Sequence, residues 1–292
     1  MISIIIPLYN KAESISKTIE SVINQNYTDF ELIVVDDGST DNSRMIVEEF
    51  KDARIRYEYK TNGGVSSARN YGAKIAKSEW LFFLDADDLL LQDALKNLIV
   101  CRNHHETTQV IVSGFVIKQG THQKNLYPWR KGKIRNPLKQ WWLRSIFPRT
   151  GNFLISKRAF LALGGFDERI SYNEDFVFIL KMLSTYEIAC TRCLSMIYTD
   201  DYKTLSVKKT PMAVELGNYL SELSIEGFYS NYFIYWQYVW TIQRRKEMGD
   251  TTYMKIIQKE LNSRFSAFDK IRNIIMQKYS IVCQSLYTKL YD

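Results

Sequence analysis

The chain opens on a mainly apolar run and returns three more times to short strand-like runs. Ile2 to Pro7 reads as a buried strand, Leu32 to Val35 as a second, Ile55 to Tyr59 as a third and Trp80 to Leu84 as a fourth. Runs this short suit strands covered on both faces better than free-standing helices. Between them the apolar period changes. Ile15, Ile19, Val22 and Ile23 recur at helical spacing, Ile46, Val47 and Phe50 mark a second helix, and Ser66 to Ala76 a third. This alternation predicts an α/β fold built on a doubly wound, mostly parallel sheet flanked by helices. A further strand is expected at Val110 to Ile117, and a helix through Phe176, Val177, Ile179, Leu180 and Leu183. In sheets of this kind ligands sit beyond the carboxyl ends of the strands.

The polar motifs gather on that rim. Pro7-Leu8-Tyr9-Asn10 follows the first strand, Asp36-Asp37-Gly38-Ser39-Thr40-Asp41 the second, Asn62-Gly63-Gly64 the third and Asp85-Ala86-Asp87-Asp88 the fourth. Three carboxylates at one strand end repel one another, and a hard divalent cation held through oxygen is the usual compensation. The plainer alternative is that Asp87 or Asp88 caps the helix beginning near Gln92. At the second strand, Asp36 and Asp37 can accept hydrogen bonds from a base or a ribose, while a plain turn with Ser39 or Thr40 as helix cap is compatible with the same residues. Gly63 and Gly64 let backbone approach a ligand, the helix that follows favours an anion at its start, and Arg69 adds a planar fork of donors. The G-x-G-x-x-G fingerprint of dinucleotide enzymes is absent.

Composition bounds the remaining choices. At 292 residues and 46% hydrophobic, the chain can bury a large core and leave an appendage. No stretch approaches the roughly 18 consecutive apolar residues of a spanning helix, and no apolar leader precedes Ile2, so a cytoplasmic protein is expected. The cysteines are Cys101, Cys190, Cys193 and Cys283, and the one Cys-x-x-Cys pair has no second pair to complete a zinc site. Reduced, structural thiols are expected. His104, His105 and His122 belong to no motif, which leaves Ser-His-Asp chemistry and histidine-metal chemistry unsupported. A phosphatase would place its Asp-x-Asp at the first strand rather than the fourth. The net charge of +7 is unevenly spread, because residues 107–166 hold 11 Lys and Arg and no Asp or Glu.

Taken together, Ser3-Ile4-Ile5-Ile6-Pro7-Leu8-Tyr9-Asn10, Glu31-Leu32-Ile33-Val34-Val35-Asp36-Asp37-Gly38-Ser39, Ala68-Arg69-Asn70, Asp85-Ala86-Asp87, Gly164-Gly165-Phe166-Asp167 and Asn173-Glu174-Asp175 stand in the order found in family 2 inverting nucleotide-sugar glycosyltransferases of the GT-A fold, which the chain resembles over roughly residues 1–205. The resemblance implies a GT-A catalytic domain at 1–206, with a nucleotide-sugar half at 1–105 and an acceptor half at 106–206, followed by a helical C-terminal extension at 207–292. It implies that Pro7, Tyr9, Asn10, Asp36 and Asp37 line the nucleoside pocket, and that Gly64, Arg69, Ala86 and Glu174 border the donor. Asp85 and Asp87 become the D-x-D pair, with Asp87 the leading ligand of Mn²⁺ or Mg²⁺, and Asp175 becomes the general base that deprotonates the acceptor hydroxyl. A helix start capped by Glu174 and Asp175 is the structural alternative. One departure stands out. Relatives carry Tyr-Arg or a histidine in a loop near the diphosphate, whereas here Tyr198 to Ser206 offers Lys203 between acidic and polar neighbours.

The acid-free stretch interleaves its lysines and arginines with Tyr127, Trp129, Trp141 and Trp142. In related enzymes this region faces the acceptor, and aromatic faces with cations suit an anionic glycan, such as one linked to polyprenyl diphosphate, or an anionic membrane surface. No nucleic-acid module is recognisable, and the acidic rim opposes such a partner. A solvated basic surface is the plainer reading. Beyond residue 211 the chain reads as helices. Phe228 to Trp240, with aromatics on every side, is expected to pack on the catalytic domain, pair with another copy or lie at a membrane interface. The function these features imply is sugar transfer from a UDP-sugar to a surface glycan. A catalytically silent nucleotide-sugar binder on the same fold is the alternative.

Overall fold

The computed structural model describes residues 1–199, 216–223, 225 and 227–291. Lys203 lies outside the described residues. The first unit begins with β1 (Ile2–Leu8), α1 (Ile15–Ile23), β2 (Phe30–Asp36), α2 (Ser43–Glu49), β3 (Ile55–Tyr59), α3 (Val65–Ile75) and β4 (Trp80–Phe83). It continues through β5 (Leu89–Leu90), α4 (Ala94–His104), β6 (Val110–Gln119), β7 (His122–Leu126) and β8 (Gly132–Ile134). After α5 (Pro137–Trp142), which apart from Pro137 belongs to the second unit, come β9 (Phe153–Ser156), α6 (Lys157–Ala162), α7 (Glu174–Thr185) and β10 (Ile188–Thr199).

The strands form one sheet in the order β3-β2-β1-β4-β9-β6-β10-β5, with β7 paired to β6 and β8 to β10. The first four strands are parallel, with Ile4 opposite Leu32 on one side and Phe82 on the other. Beyond β4 the sheet becomes mixed, because β9 runs antiparallel to both β4 and β6. All seven residues of β1 are buried, as are all four of β4, so these central strands carry continuous apolar strings rather than alternation. Pro7 fits inside β1 because the pairing with β4 ends at Ile5, and the position with no N–H to give lies past that ladder. Against this sheet α1 packs Ile15, Ile19 and Val22 into the core that also holds Leu32, Val34 and Phe82. Helix α3 comes close enough that a methyl added at Gly72 would sit 2.5 Å from Ile5 Cγ2.

The second compact unit takes Leu138–Ser145, Arg169–Asn173 and the C-terminal helices. Those are a 3₁₀ turn at Leu216–Glu222, α8 (Phe228–Glu247), α9 (Thr251–Arg264) and α10 (Ala267–Tyr291). Its core accounts for the aromatic segment of α8. Tyr232, Tyr235 and Tyr238 are buried, Trp141 stacks on Phe233 at 4.1 Å between ring centroids, and Trp142 packs among Tyr229, Tyr232 and Tyr279. Trp142 is therefore a core residue of this unit and not an open platform for a sugar, while Trp141 is half-buried with one face on Phe233. Helix α10 keeps Phe268, Ile271, Ile275 and Val282 exposed along one stripe. No helix of the described residues is long and apolar enough to cross a membrane.

Candidate active site

The loops at the carboxyl ends of β1, β2, β3 and β4 are tied to one another by side chains. Asn10, held at φ 50°, accepts from the Thr40 N–H at 2.8 Å through Oδ1 and donates its own N–H to Ser39 Oγ at 3.1 Å. Asp41 accepts from the Ala12 N–H at 3.0 Å. Asp36 spends one oxygen on the Ser39 N–H at 2.7 Å and the other on the Tyr57 hydroxyl at 2.6 Å. Asp37 accepts from Lys60 Nζ at 2.5 Å, the Gly63 N–H at 2.9 Å and the Gly64 N–H at 2.7 Å. Both carboxylates are buried and act here as braces, one for the turn after β2 and one for the glycine loop before α3. Neither Ser39 nor Thr40 caps α2, whose N-cap is Asn42. Tyr9 projects from the rim, 49% exposed, while Pro7 behind it is buried. Gly64 sits at φ 88° at the start of α3, a conformation that favours glycine, with open space where a side chain would be.

Arg69, one turn into α3, is turned inward and is only 2% exposed. One guanidinium nitrogen donates to Asp85 Oδ1 at 2.6 Å, another to Glu174 Oε1 at 2.8 Å, and the cation lies 5.1 Å from the ring centre of Phe166. Burial pulls its pKa down, but the two carboxylates outweigh burial and raise it. Asp85 is the mirror case, because burial pushes it up while Arg69, helped by Arg149 and the Thr150 hydroxyl at 3.2 Å, holds it below the ordinary carboxylate value. Burial and Asp175 push the Glu174 carboxyl up against the opposing pull of Arg69. The neighbouring Asn70 makes the second half of the brace. It donates to the Phe166 carbonyl at 2.8 Å and to Glu168 at 2.9 Å, and accepts from the Phe166 N–H at 2.9 Å. Gly165, at φ 68°, fits because it has no Cβ, which would lie 2.6 Å from Asn70 Oδ1. The Ala-Arg-Asn and Gly-Gly-Phe-Asp motifs are thus two sides of one contact.

The remaining carboxylates are held more loosely. Asp87 accepts from Lys11 Nζ at 2.6 Å, with the two side chains 43% and 36% exposed. It does not cap α4, which starts at Ala94 behind Asp93. Ala86 is buried and its carbonyl accepts from Ser14 Oγ at 2.9 Å and Thr18 Oγ1 at 3.0 Å, which fixes the D-x-D turn on α1. Asp175 follows Glu174 in the first turn of α7, a position where the helix dipole stabilises a carboxylate, and is half-buried. Lys11, Thr150 and Arg149 enter this neighbourhood without a motif to announce them. Arg149 lies 3.4 Å from the ring centre of Tyr198 and adds positive charge near Asp85. The thiols stand apart from all of this: Cys101, Cys190 and Cys193 are unbonded, and burial pushes the Cys101 thiol up to about 11.

The strand order, the braced loops and the two carboxylate pairs define a GT-A glycosyltransferase. The chain superposes on crystal structures of Staphylococcus aureus TarS residues 1–349, with a TM-score of 0.67 and 19% identity over 80% of this chain and 70% of that one for the complex with UDP-GlcNAc. In sequence, residues 3–164 match Glycosyl transferase family 2, and the chain belongs to that family. It is 35% identical to an uncharacterized glycosyltransferase of Rickettsia typhi over 63% of this chain and 58% of that protein. It is 42% identical to the poly(ribitol-phosphate) beta-N-acetylglucosaminyltransferase TarP of Staphylococcus aureus over 33% of this chain and 31% of TarP. It is 40% identical to the minor teichoic acid biosynthesis protein GgaB of Bacillus subtilis over 38% of this chain and 13% of GgaB. The three sequence matches span less than two thirds of each relative's length.

Proposed function

We propose that this glycosyltransferase moves a hexose or N-acetylhexosamine from a UDP-sugar to a hydroxyl of a surface glycan or a polyprenyl-diphosphate-linked acceptor, by a single displacement that inverts the anomeric centre. The observation that carries this reading is the shared guanidinium of Arg69. It ties Asp85 of the D-x-D turn to Glu174 of the base helix, so the donor end and the acceptor end of the reaction are built on one fixed ion-pair network. In each pair the first carboxylate is locked and the second is left for chemistry. Asp175 takes the proton from the acceptor hydroxyl as that oxygen attacks, a contribution of about a hundred- to ten-thousandfold in rate. Tyr9 offers an exposed ring to the base, and the open backbone at Gly64 and the start of α3 receive the phosphates.

The donor set fits a hard divalent cation. Among the described residues no group of three or more His, Cys, Asp or Glu could hold a metal by itself, so the protein would offer Asp87, with Asp85 held beside it by Arg69 and Thr150, and leave the other positions to diphosphate oxygens and water. This is how Mg²⁺ is commonly bound beside a substrate phosphate, and Mn²⁺ takes the same oxygen ligands. When bound, the cation supplies Lewis-acid relief for the charge on the departing nucleotide. The names of TarP and GgaB point to phosphate-bearing polymers as acceptors, and the acid-free run at 107–166 supports an anionic acceptor here. Work at the cytoplasmic face of the membrane follows from such an acceptor, and the apolar stripe of α10 with exposed Lys278 beside it supports a peripheral contact there.

The test is a panel of nucleotide sugars with Mn²⁺, scored by release of free nucleoside diphosphate, with Asp87→Ala and Asp175→Asn alongside. Release from one UDP-sugar that disappears with chelator and in Asp87→Ala is the expected result. Absence of binding and of turnover for every donor would overturn the reading.

A further inference from the structure

Lys11 is the site residue that no motif explains. Its backbone is pinned: the N–H donates to Ser43 Oγ at 2.9 Å, and the carbonyl accepts from the Ser14 and Ile15 N–H groups at 3.1 and 3.0 Å. The residue before it, Asn10, is braced on the loop after β2. Only the side chain is free to move. Its ammonium ends 2.6 Å from Asp87 Oδ2, in a pair where both side chains keep more than a third of their surface in water. Asp85, by contrast, is fixed by a buried arginine and by Thr150.

We propose that Lys11 is a placeholder for the divalent cation at Asp87 and, once displaced, a ligand for the donor diphosphate. The inference rests on the reading of Asp87 as the metal carboxylate. An exposed ion pair of this kind is worth only a few-fold in an equilibrium constant. A dication brings twice the charge to the same oxygen and coordinates it directly, so it wins the carboxylate. The released ammonium stays tethered to the rim on four methylenes, beside the position that a metal-bound diphosphate takes. Lysine suits that second role as a compact point charge with three donors. The pair thus keeps Asp87 neutralised and oriented before the cation arrives, and adds a positive charge to the phosphates afterwards.

The two roles act with opposite sign on two affinities, which a merely structural pair would not do. Calorimetric titration of the full chain with Mn²⁺ alone, and then with UDP at saturating Mn²⁺, reads both. Lys11→Met should tighten Mn²⁺ by about twofold to fivefold, since the competing ammonium is gone. The same change should weaken UDP by about fivefold to tenfold, since a charge-assisted contact is lost. Lys11→Arg, which keeps the charge, should stay near the unaltered protein in both titrations. Lys11→Gln repeats the test should the methionine variant fold poorly. Unchanged or weaker Mn²⁺ binding in the neutral variants, with Asp87→Ala losing Mn²⁺ altogether, would sink the placeholder role alone. Unchanged UDP binding would sink the second role. Full Mn²⁺ affinity retained in Asp87→Ala would instead sink the metal reading on which both rest.

Discussion

Arg69→Met is the substitution that tests how the site is held together. Methionine fills much of the same space but leaves Asp85 and Glu174 facing each other without their shared cation. Removing one partner of a buried ion pair costs about 3–5 kcal/mol, because the other charge is stranded. Here the relief is partial, since Asp85 and Glu174 keep 29% and 13% side-chain exposure and Asp85 retains Thr150. The expected loss is therefore about 3 kcal/mol at pH 7, near the low end of that range. The pH dependence gives the sharper test. With Arg69 present, the Asp85 carboxyl lies below its ordinary 3.8, so its contribution is complete above that pH and is lost as pH falls through the lowered value. Without Arg69, burial at Asp85 is opposed only by Arg149 and Thr150, so that carboxyl rises, and the Glu174 carboxyl, already above 4.5 with Arg69 present, rises further; the variant therefore gains on protonation at acid pH and loses that gain as pH rises through the raised values. The gap between the two proteins must narrow from pH 7 towards pH 4. Urea denaturation at both pH values measures it, and Glu174→Gln on the Arg69→Met background should recover part of the loss. A gap under about 1 kcal/mol at neutral pH, or one that does not change with pH, would refute the network as drawn.

Three further substitutions read other parts of the molecule. Gly72→Ala places a methyl 2.5 Å from Ile5 Cγ2 and 3.2 Å from Val35 Cγ2, so α3 must lift from β1 and β2; denaturation should show a loss of about 1–3 kcal/mol. Gly165→Ala combines a φ of 68° with a contact of 2.6 Å to Asn70 Oδ1. It should cost about 2 kcal/mol and lower turnover together with stability, because the same contact positions Phe166 against Arg69. Asp175→Asn keeps the shape of α7 and should leave UDP binding intact while sugar transfer falls by about a hundredfold or more; a change in binding with unchanged turnover would move the base elsewhere.

What the sequence makes legible here follows from the range of the forces involved. Strands β1 and β4 are readable because burial on both faces demands nearly continuous apolar strings, and the carboxylates that follow β4 stand out because nothing within that strand is charged. The antiparallel insertion of β9 between β4 and β6 is not readable, because it depends on a pairing between Trp80 and Ser156 that leaves no periodic trace in either segment. Trp142 misleads for a related reason, since an aromatic beside cations looks the same in a list whether its face is open or, as here, buried and stacked on Tyr279. The division of labour within the carboxylate pairs is the least legible feature. Asp85 and Asp87 are chemically equal in the sequence, as are the neighbours Glu174 and Asp175. They differ only because a buried guanidinium on α3 can reach the first member of each pair. That arrangement has a physical advantage. On the proposed reading, a locked charge fixes the turn without having to move during catalysis, and the half-exposed neighbour keeps the freedom to take up a cation or a proton. If the roles within a pair were exchanged, the charge meant for chemistry would already be bound to Arg69, and each turnover would have to break a buried ion pair first.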